Sequence, residues 1–507
     1  MVKPLTRVKS NINLTSVLLL WLGAIVLSGI FGLTLAFGIY PLTIGFFVLI
    51  AGGILVLKPL AGTWIVIIGS LVFAGLIDLY LPALQPIKWA LAGLAMGVSF
   101  VAYVFNGNVK RKILAKFKIK SSLLIILWLF FGYVILISMF SWHGVSAFLT
   151  SFKAYFQVWG ILIAVYYVMD KEIDAQRLIK FLLVLGVIQL PFVFHQFFFL
   201  IPQRSTEEFA MRGMVAADVV AGTFGGTMMG GGRSSSLAIL CVLGITIVLA
   251  QFKSGLISTV RALVLLCAFM LPMFLSEAKL FMVLLPIALF ILYKDKLVKD
   301  PLKFIAGSIA VLLLLGAIFF AYSLIPGAES QHNMSLKEMW DSNISYNFGD
   351  RGYGNALLNR TTVYTFWLHE HLSWPEMLHM FFGHGPGETQ GGVFVSPDLT
   401  LLKKYPGYGI GLTGFSTLLW ELGLIGTILA VSIFVSGYKL GTNLLQKWSG
   451  TVHEPLIRSA QIGIVLFATS LLHNNYFSFD ISYQALFIVI LGYLVIMFKL
   501  TKFSTGK

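Results

Sequence analysis

The feature that most constrains this chain is a succession of apolar runs, each roughly 17–25 residues long, that recurs from near residue 14 to near residue 499. Each is long enough for a helix to cross a hydrocarbon layer, where a backbone must satisfy its own polar groups and only helices or closed barrels can do so. Of 507 residues, 58% are hydrophobic and 11% charged, against about one quarter charged in soluble domains. A water-soluble fold cannot hide that much apolar surface. The expected class is an all-α polytopic integral membrane protein.

The runs predict helices near 14–37, 41–57, 60–82, 86–106, 122–142, 153–169, 179–201, 234–251, 262–276, 279–293, 303–325, 412–437, 457–475 and 482–499, about fourteen crossings. The first run lacks a small-residue cleavage site and reads as a retained span. Cys241 and Cys267 both lie within apolar runs, so no disulfide framework or Cys-x-x-Cys site is available.

Lys and Arg total 36 against 21 Asp and Glu, a net +15. In a soluble chain that excess would raise nucleic-acid binding; here it is read loop by loop. Segment 107–121 holds Lys110, Arg111, Lys112, Lys116, Lys118 and Lys120 and no acid, which predicts a cytoplasmic loop. The N-terminus, Lys171 with Arg177, Lys253 with Arg261, 294–303, 438–456 and the tail fall on the same side, so both termini are expected in the cytoplasm. Segments 202–233 and 326–411 are then external. The expected organisation is a block of crossings over 1–325, a large external loop over 326–411 carrying amphipathic helices, and a final block over 412–507.

The external segments hold the unusual chemistry. Segment 202–233 carries Arg212, Ala221-Gly222-Thr223-Phe224-Gly225-Gly226 and Arg233, then Ser234 to Ser236 opening a helix. Glycine permits close backbone approach, helix N-termini attract anions, and guanidinium forks pair with phosphate oxygens. The alternative is a plain loop with arginines at an interface. Segment 326–411 holds Arg351, Arg360, His369, His371, His379 and Phe382-Gly383-His384-Gly385-Pro386-Gly387-Glu388. His384 or Glu388 could serve as a general base, or His384 could be a turn residue. The histidine spacing matches no known metal motif, so no metal is expected. Glu421, inside an apolar helix with Gly423 and Gly426, should face the protein interior and have a partner. His473-Asn474-Asn475 and Asp480 could cap helices or wall a cleft.

Taken together, these strings resemble the bacterial family of O-antigen ligases and Wzy-type polysaccharide polymerases, over roughly 200–240 and 355–430. The resemblance implies a GT-C-like membrane fold and an inverting, metal-independent glycosyltransferase without cofactor or nucleotide sugar, in the bacterial inner membrane with an external (periplasmic) site. Its donor is a polyprenyl-diphosphate-linked oligosaccharide, its acceptor a glycan or lipid, with a chain-length regulator as a further partner and no role for nucleic acid. By position, Arg212 and Arg360 best match the family's diphosphate-holding arginines, with Arg233 and Arg351 next. Ligases carry a His-Asn-like pair where this chain has Leu412-Thr413, so a polymerase is the preferred expectation over a ligase. A carrier of lipid-linked saccharide is the rival from another class; its expected repeated halves and mid-membrane charges are not evident in the sequence.

Overall fold

The computed structural model describes residues 36–114, 122–204, 216–228, 233–276, 279–297, 356–389 and 400–504, with isolated residues between 26 and 34 and between 302 and 352. Arg212 and Arg351 lie outside the described residues, as do most of the expected spans 14–37 and 303–325. The described residues form helices and turns without a strand.

In chain order the helices are α1 (Tyr40–Leu57), α2 (Pro59–Tyr80), α3 (Ile87–Leu114), α4 (Ser122–Phe140), α5 (Val145–Phe156), α6 (Gly160–Val168), α7 (Glu172–Arg204), α8 (Ser234–Lys253), α9 (Thr259–Leu275) and α10 (Phe281–Leu297). There follow α11 (Thr362–His371), α12 (Met377–Phe382), α13 (Thr400–Lys404), α14 (Gly414–Lys447), α15 (Glu454–Ser470) and α16 (Ile481–Ser504). Seven are long and apolar enough to cross a membrane, and α5 with α6, bent by 50° at their break, make an eighth. The remaining expected spans within the described residues, α1, α9, α10 and α15, are helical but shorter.

Position in the bundle follows composition. α16 is buried over 94% of its apolar window and packs against α6, α7, α14 and α15 as the central post. α4 is buried over only 28% and turns Trp128, Leu129 and Phe140 outward. Apolar side chains on an outer surface need an apolar solvent, so the periphery fits a bilayer.

The bundle has two chemically distinct poles. At one, the ends of α2 and α5 and the starts of α3, α8 and α16 meet. At the other, Lys499 near the end of α16 donates to the carbonyls of Tyr166 (2.6 Å) and Met169 (2.8 Å), and His453 lies 2.9 Å from Glu172. Segments 356–389 and 400–413 pack on the first pole: the Gly414 amide, at the start of α14, donates to Asn474 O at 2.7 Å.

Two π-turns, Gly69–Phe73 in α2 and Gln196–Leu200 in α7, open the helices around the 216–228 segment. Thr223 Oγ1 donates to Leu71 O at 2.8 Å. Gln196 Oε1 accepts from the Ala221 (3.0 Å) and Gly222 (2.7 Å) amides, and Gln189 Oε1 accepts from the Thr223 amide at 2.7 Å. These residues are fully buried. The glycine-rich string, read as an anion cradle or a plain loop, packs as a plug over residues 221–224. The amides of Ala221, Gly222, Thr223 and Phe224 already have partners, and at Gly222 (φ +60°) a Cβ would collide with Gln189.

Candidate functional site

The site is built around a break in α14. Gly423 has φ +64° and ψ −169°, a conformation available at low cost only to glycine. The break releases helix carbonyls, and each finds a donor: His384 N to Trp420 O (2.9 Å), Gly385 N to Glu421 O (2.9 Å) and Tyr133 Oη to Leu422 O (2.9 Å). The Gly383 and Gly423 backbones are thereby pressed together with no room for a Cβ on either. The Glu421 carboxylate, 1% exposed, accepts from the Thr389 amide (3.1 Å), Thr389 Oγ1 (2.6 Å) and Tyr155 Oη (2.7 Å). Its expected partners exist. They make it a tie between the broken helix and the 383–389 turn, enclosed from any substrate.

That turn lies on the junction of α4 and α5. At Gly385 and Gly387, both at positive φ, a Cβ would strike Ser141 and Ser151. The close approach brings Glu388 Oε1 to 2.7 Å from His143 Nε2, while the Leu401 amide donates to Glu388 Oε2 at 3.3 Å. The carboxylate is 1% exposed and the imidazole 35%. The two groups are in ion-pair contact, without an aligned hydrogen bond to Glu388 Oε1. A buried carboxylate beside a reachable imidazole favours the charge the ring gains when it takes a proton, which suits a general base. Sequence reasoning singled out Glu388 but missed His143, which looks like part of a Ser-Trp-His-Gly turn between spans.

His384 sits in a stack of rings. His379 lies parallel to it at 4.1 Å, Trp420 lies at 5.9 Å, and His371 Nε2 approaches His384 Nε2 to 3.1 Å. Burial, with His379, His371 and Lys404 nearby, pushes His384 down to about 3. Burial likewise lowers His371. Both rings are therefore neutral, and His384, with Nε2 engaged, is placed as a packed member of the turn. His369, 86% exposed, stands apart. Among the described residues, His371, Glu376 and His384 present ligand atoms within 4.8 Å of one another, a grouping the sequence spacing concealed.

Arg360 lies just ahead of α11, whose N-terminus is capped by Asn359: its Oδ1 accepts from the Thr361 and Thr362 amides at 2.8 Å. Arg360 Nε donates to His473 O at 3.0 Å and Nη1 to Asn347 Oδ1 at 2.5 Å. Burial, then the Arg360 and Lys279 cations, depress His473 to about 3. Arg360, Lys279 and the neutral His473 thus share one electropositive wall. A short relay ties it to the Glu388 turn: Asn475 Nδ2 donates to Gly411 O (2.6 Å), and the Gly411 backbone abuts Thr389.

Arg233 is placed differently from its expected role. Its Nη1 lies 2.8 Å from Asp78 Oδ2 and its Nε 2.5 Å from Asp480 Oδ2, and Lys88 Nζ lies 2.6 Å from Asp78 Oδ1. With both acids nearly fully buried, Arg233 is committed to a structural ion-pair knot joining α2, α3, α8 and α16. Asp480 also accepts from the Tyr483 amide at 2.6 Å, a helix cap. Thr413 is fully buried: its hydroxyl accepts from the Ser416 amide at 3.0 Å and contacts Tyr364 Oη at 2.8 Å, so this position caps α14 and offers no base.

Neither protein-family models nor curated proteins give a match to this chain.

Proposed function

We propose that the protein is an integral-membrane glycosyltransferase that joins polyprenyl-diphosphate-linked oligosaccharide units into a longer glycan. The observation that carries this reading is the convergence on one pole of the His143–Glu388 pair and the Arg360–Lys279–His473 wall, coupled through Gly411 and Asn475. In the proposed step the His143 imidazole takes the proton of an acceptor hydroxyl. The oxygen attacks the anomeric carbon, the bond from that carbon to the diphosphate oxygen breaks, and the configuration inverts. Negative charge growing on the leaving diphosphate is met by Arg360, and positive charge on His143 by Glu388. A diphosphate is a good leaving group, so the step requires neither a metal nor an acid from the protein.

The same reading places about fourteen crossings of GT-C-like arrangement in a bacterial inner membrane, both termini cytoplasmic and the Arg360 pole external. Arg212 and Arg351 remain proposed donor contacts beside Arg360. The break at Gly423 is the one observation that favours a carrier of the same lipid-linked saccharide, since discontinuous helices line many transporter sites. The buried charges of the Asp78–Arg233–Asp480 knot, however, sit at helix ends and are mutually paired.

The deciding experiment incubates purified protein with a synthetic polyprenyl-diphosphate oligosaccharide. A ladder of products supports the polymerase. A single addition to a different acceptor makes it a ligase, and movement between leaflets without covalent change makes it a carrier.

A further inference from the structure

We propose that His371, His384 and Glu376 form a site for a zinc-class divalent cation at the junction of α11, α12 and the broken α14, independent of the transfer step. The donor set is two imidazole nitrogens and one carboxylate oxygen, a combination that suits zinc and leaves a fourth position for water.

The geometry is close to what such an ion needs. Two ligand atoms bound tetrahedrally to zinc at about 2.0–2.1 Å stand ~3.4 Å apart. The nitrogens His371 Nε2 and His384 Nε2 are 3.1 Å apart, and His384 Nε2 is 3.8 Å from Glu376 Oε2. All three ligand atoms fall within 4.8 Å of one another. Glu376, 30% exposed, has room to close the longest gap by a change of rotamer.

The surroundings orient each ligand. His371 Nδ1 lies 2.7 Å from Trp367 O, which can only accept, so Nδ1 carries a hydrogen and Nε2 turns its lone pair into the cluster. A neighbouring backbone carbonyl fixing the tautomer of a ligand histidine is the usual supporting contact of metal sites. Lys404 Nζ holds Glu376 Oε1 at 3.1 Å and leaves Oε2 on the histidine side. His379 is pinned through Nδ1 to Gly383 O at 3.0 Å, and its ring backs His384 at 4.1 Å. Without the cation, His384 Nε2–H donates to His371 Nε2. With it, His384 shifts that proton to Nδ1, so binding releases none.

The test uses the full-length chain, free of any histidine tag, in detergent or nanodiscs and stripped with a chelator. Zinc is titrated against a chromophoric chelator, and cobalt is added separately to read its visible bands. The expected result is one zinc per chain, intense four-coordinate cobalt bands, and a loss of at least ~10-fold in affinity for His371→Gln, His384→Gln and Glu376→Gln. His369→Gln should bind as wild type. Glu376→Gln alters a partly exposed side chain and keeps the comparison available if a histidine variant fails to fold. Folded wild type that binds no stoichiometric zinc, or Glu376→Gln and His371→Gln binding as tightly as wild type, would overturn the proposal. The readout is metal binding, so it is separate from the outcome of the transferase assay.

Discussion

His143 Nε2 lies 2.7 Å from Glu388 Oε1, although the two residues are far apart in sequence, one between two spans and the other in a glycine-rich turn. The carboxylate is sealed and the imidazole is not. The pair therefore has a direction: the acid's charge backs the ring from inside, and the ring meets whatever enters from outside.

Replacing His143 by Ala should slow glycan transfer by about 10²–10⁴-fold, the usual contribution of a positioned base. Glu388→Gln should lower the rate through the same ring, so the double variant should lose little more than His143→Ala alone. Product ladders quantified over time measure this. Wild-type rates in both single variants would remove the base from the mechanism.

Arg360→Ala should abolish long products while the protein still reaches the membrane, because the developing diphosphate charge loses its partner. Arg360→Lys should restore only part of the activity, since an ammonium lacks the planar fork that binds two oxygens. Donor binding measured beside turnover checks the assignment; unchanged affinity and turnover in Arg360→Ala would refute it.

Arg233→Ala should behave as a folding mutation. It strips the shared partner from the buried Asp78 and Asp480, which costs about 3–5 kcal/mol for a broken buried pair. The expectation is a large fall in protein level and melting temperature, partly recovered by adding Asp480→Asn. A stable but inactive Arg233→Ala protein would return this arginine to the list of donor contacts.

His473 should contribute to acid sensitivity. Its pKa falls from the ordinary 6.5 to about 3 on folding, so between those values the unfolded chain binds a proton that the folded chain does not. Stability from this group is therefore full above about pH 6.5 and declines as the pH drops towards 3. Thermal melts across that window should be flatter in His473→Gln than in wild type; identical slopes would count against a half-buried ring held neutral beside Arg360 and Lys279.

Gly423→Ala should weaken the seam between α12 and α14. The position has φ +64°, and a Cβ there meets the Phe381 and Gly383 backbones. Holding an alanine in that glycine-only region costs about 1–3 kcal/mol, and the clash adds to it. A melting temperature equal to wild type would mean that the break is not held by this contact.

Much of the fold was legible because membrane crossing is a local demand. A run of twenty or so apolar residues is written contiguously, and every expected span within the described residues is helical. Glu421 could likewise be read as interior and partnered, since an isolated carboxylate in an apolar helix has no other inexpensive place. The site was legible only in pieces. Glycine-rich spacing signalled close backbone approach in both Gly222–Gly226 and Gly383–Gly387, but not what approached. In the first case it was two glutamine side chains that consume the Ala221, Gly222 and Thr223 amides; in the second it was Ser141 and Ser151, a contact that delivers Glu388 to His143.

The amino-acid order by itself determined an all-helical membrane class, where the helices lie, and a set of arginines, histidines and acids available for chemistry. Only the tertiary structure decided how they are used: Arg233 neutralised by two acids, Glu421 enclosed, His384 stacked between rings, His143 recruited from the turn between α4 and α5. The reason is physical. Hydrophobicity and helix formation are set by neighbours along the chain, whereas a side chain's charge state and reach are set by neighbours across space, which appear only when the helices pack.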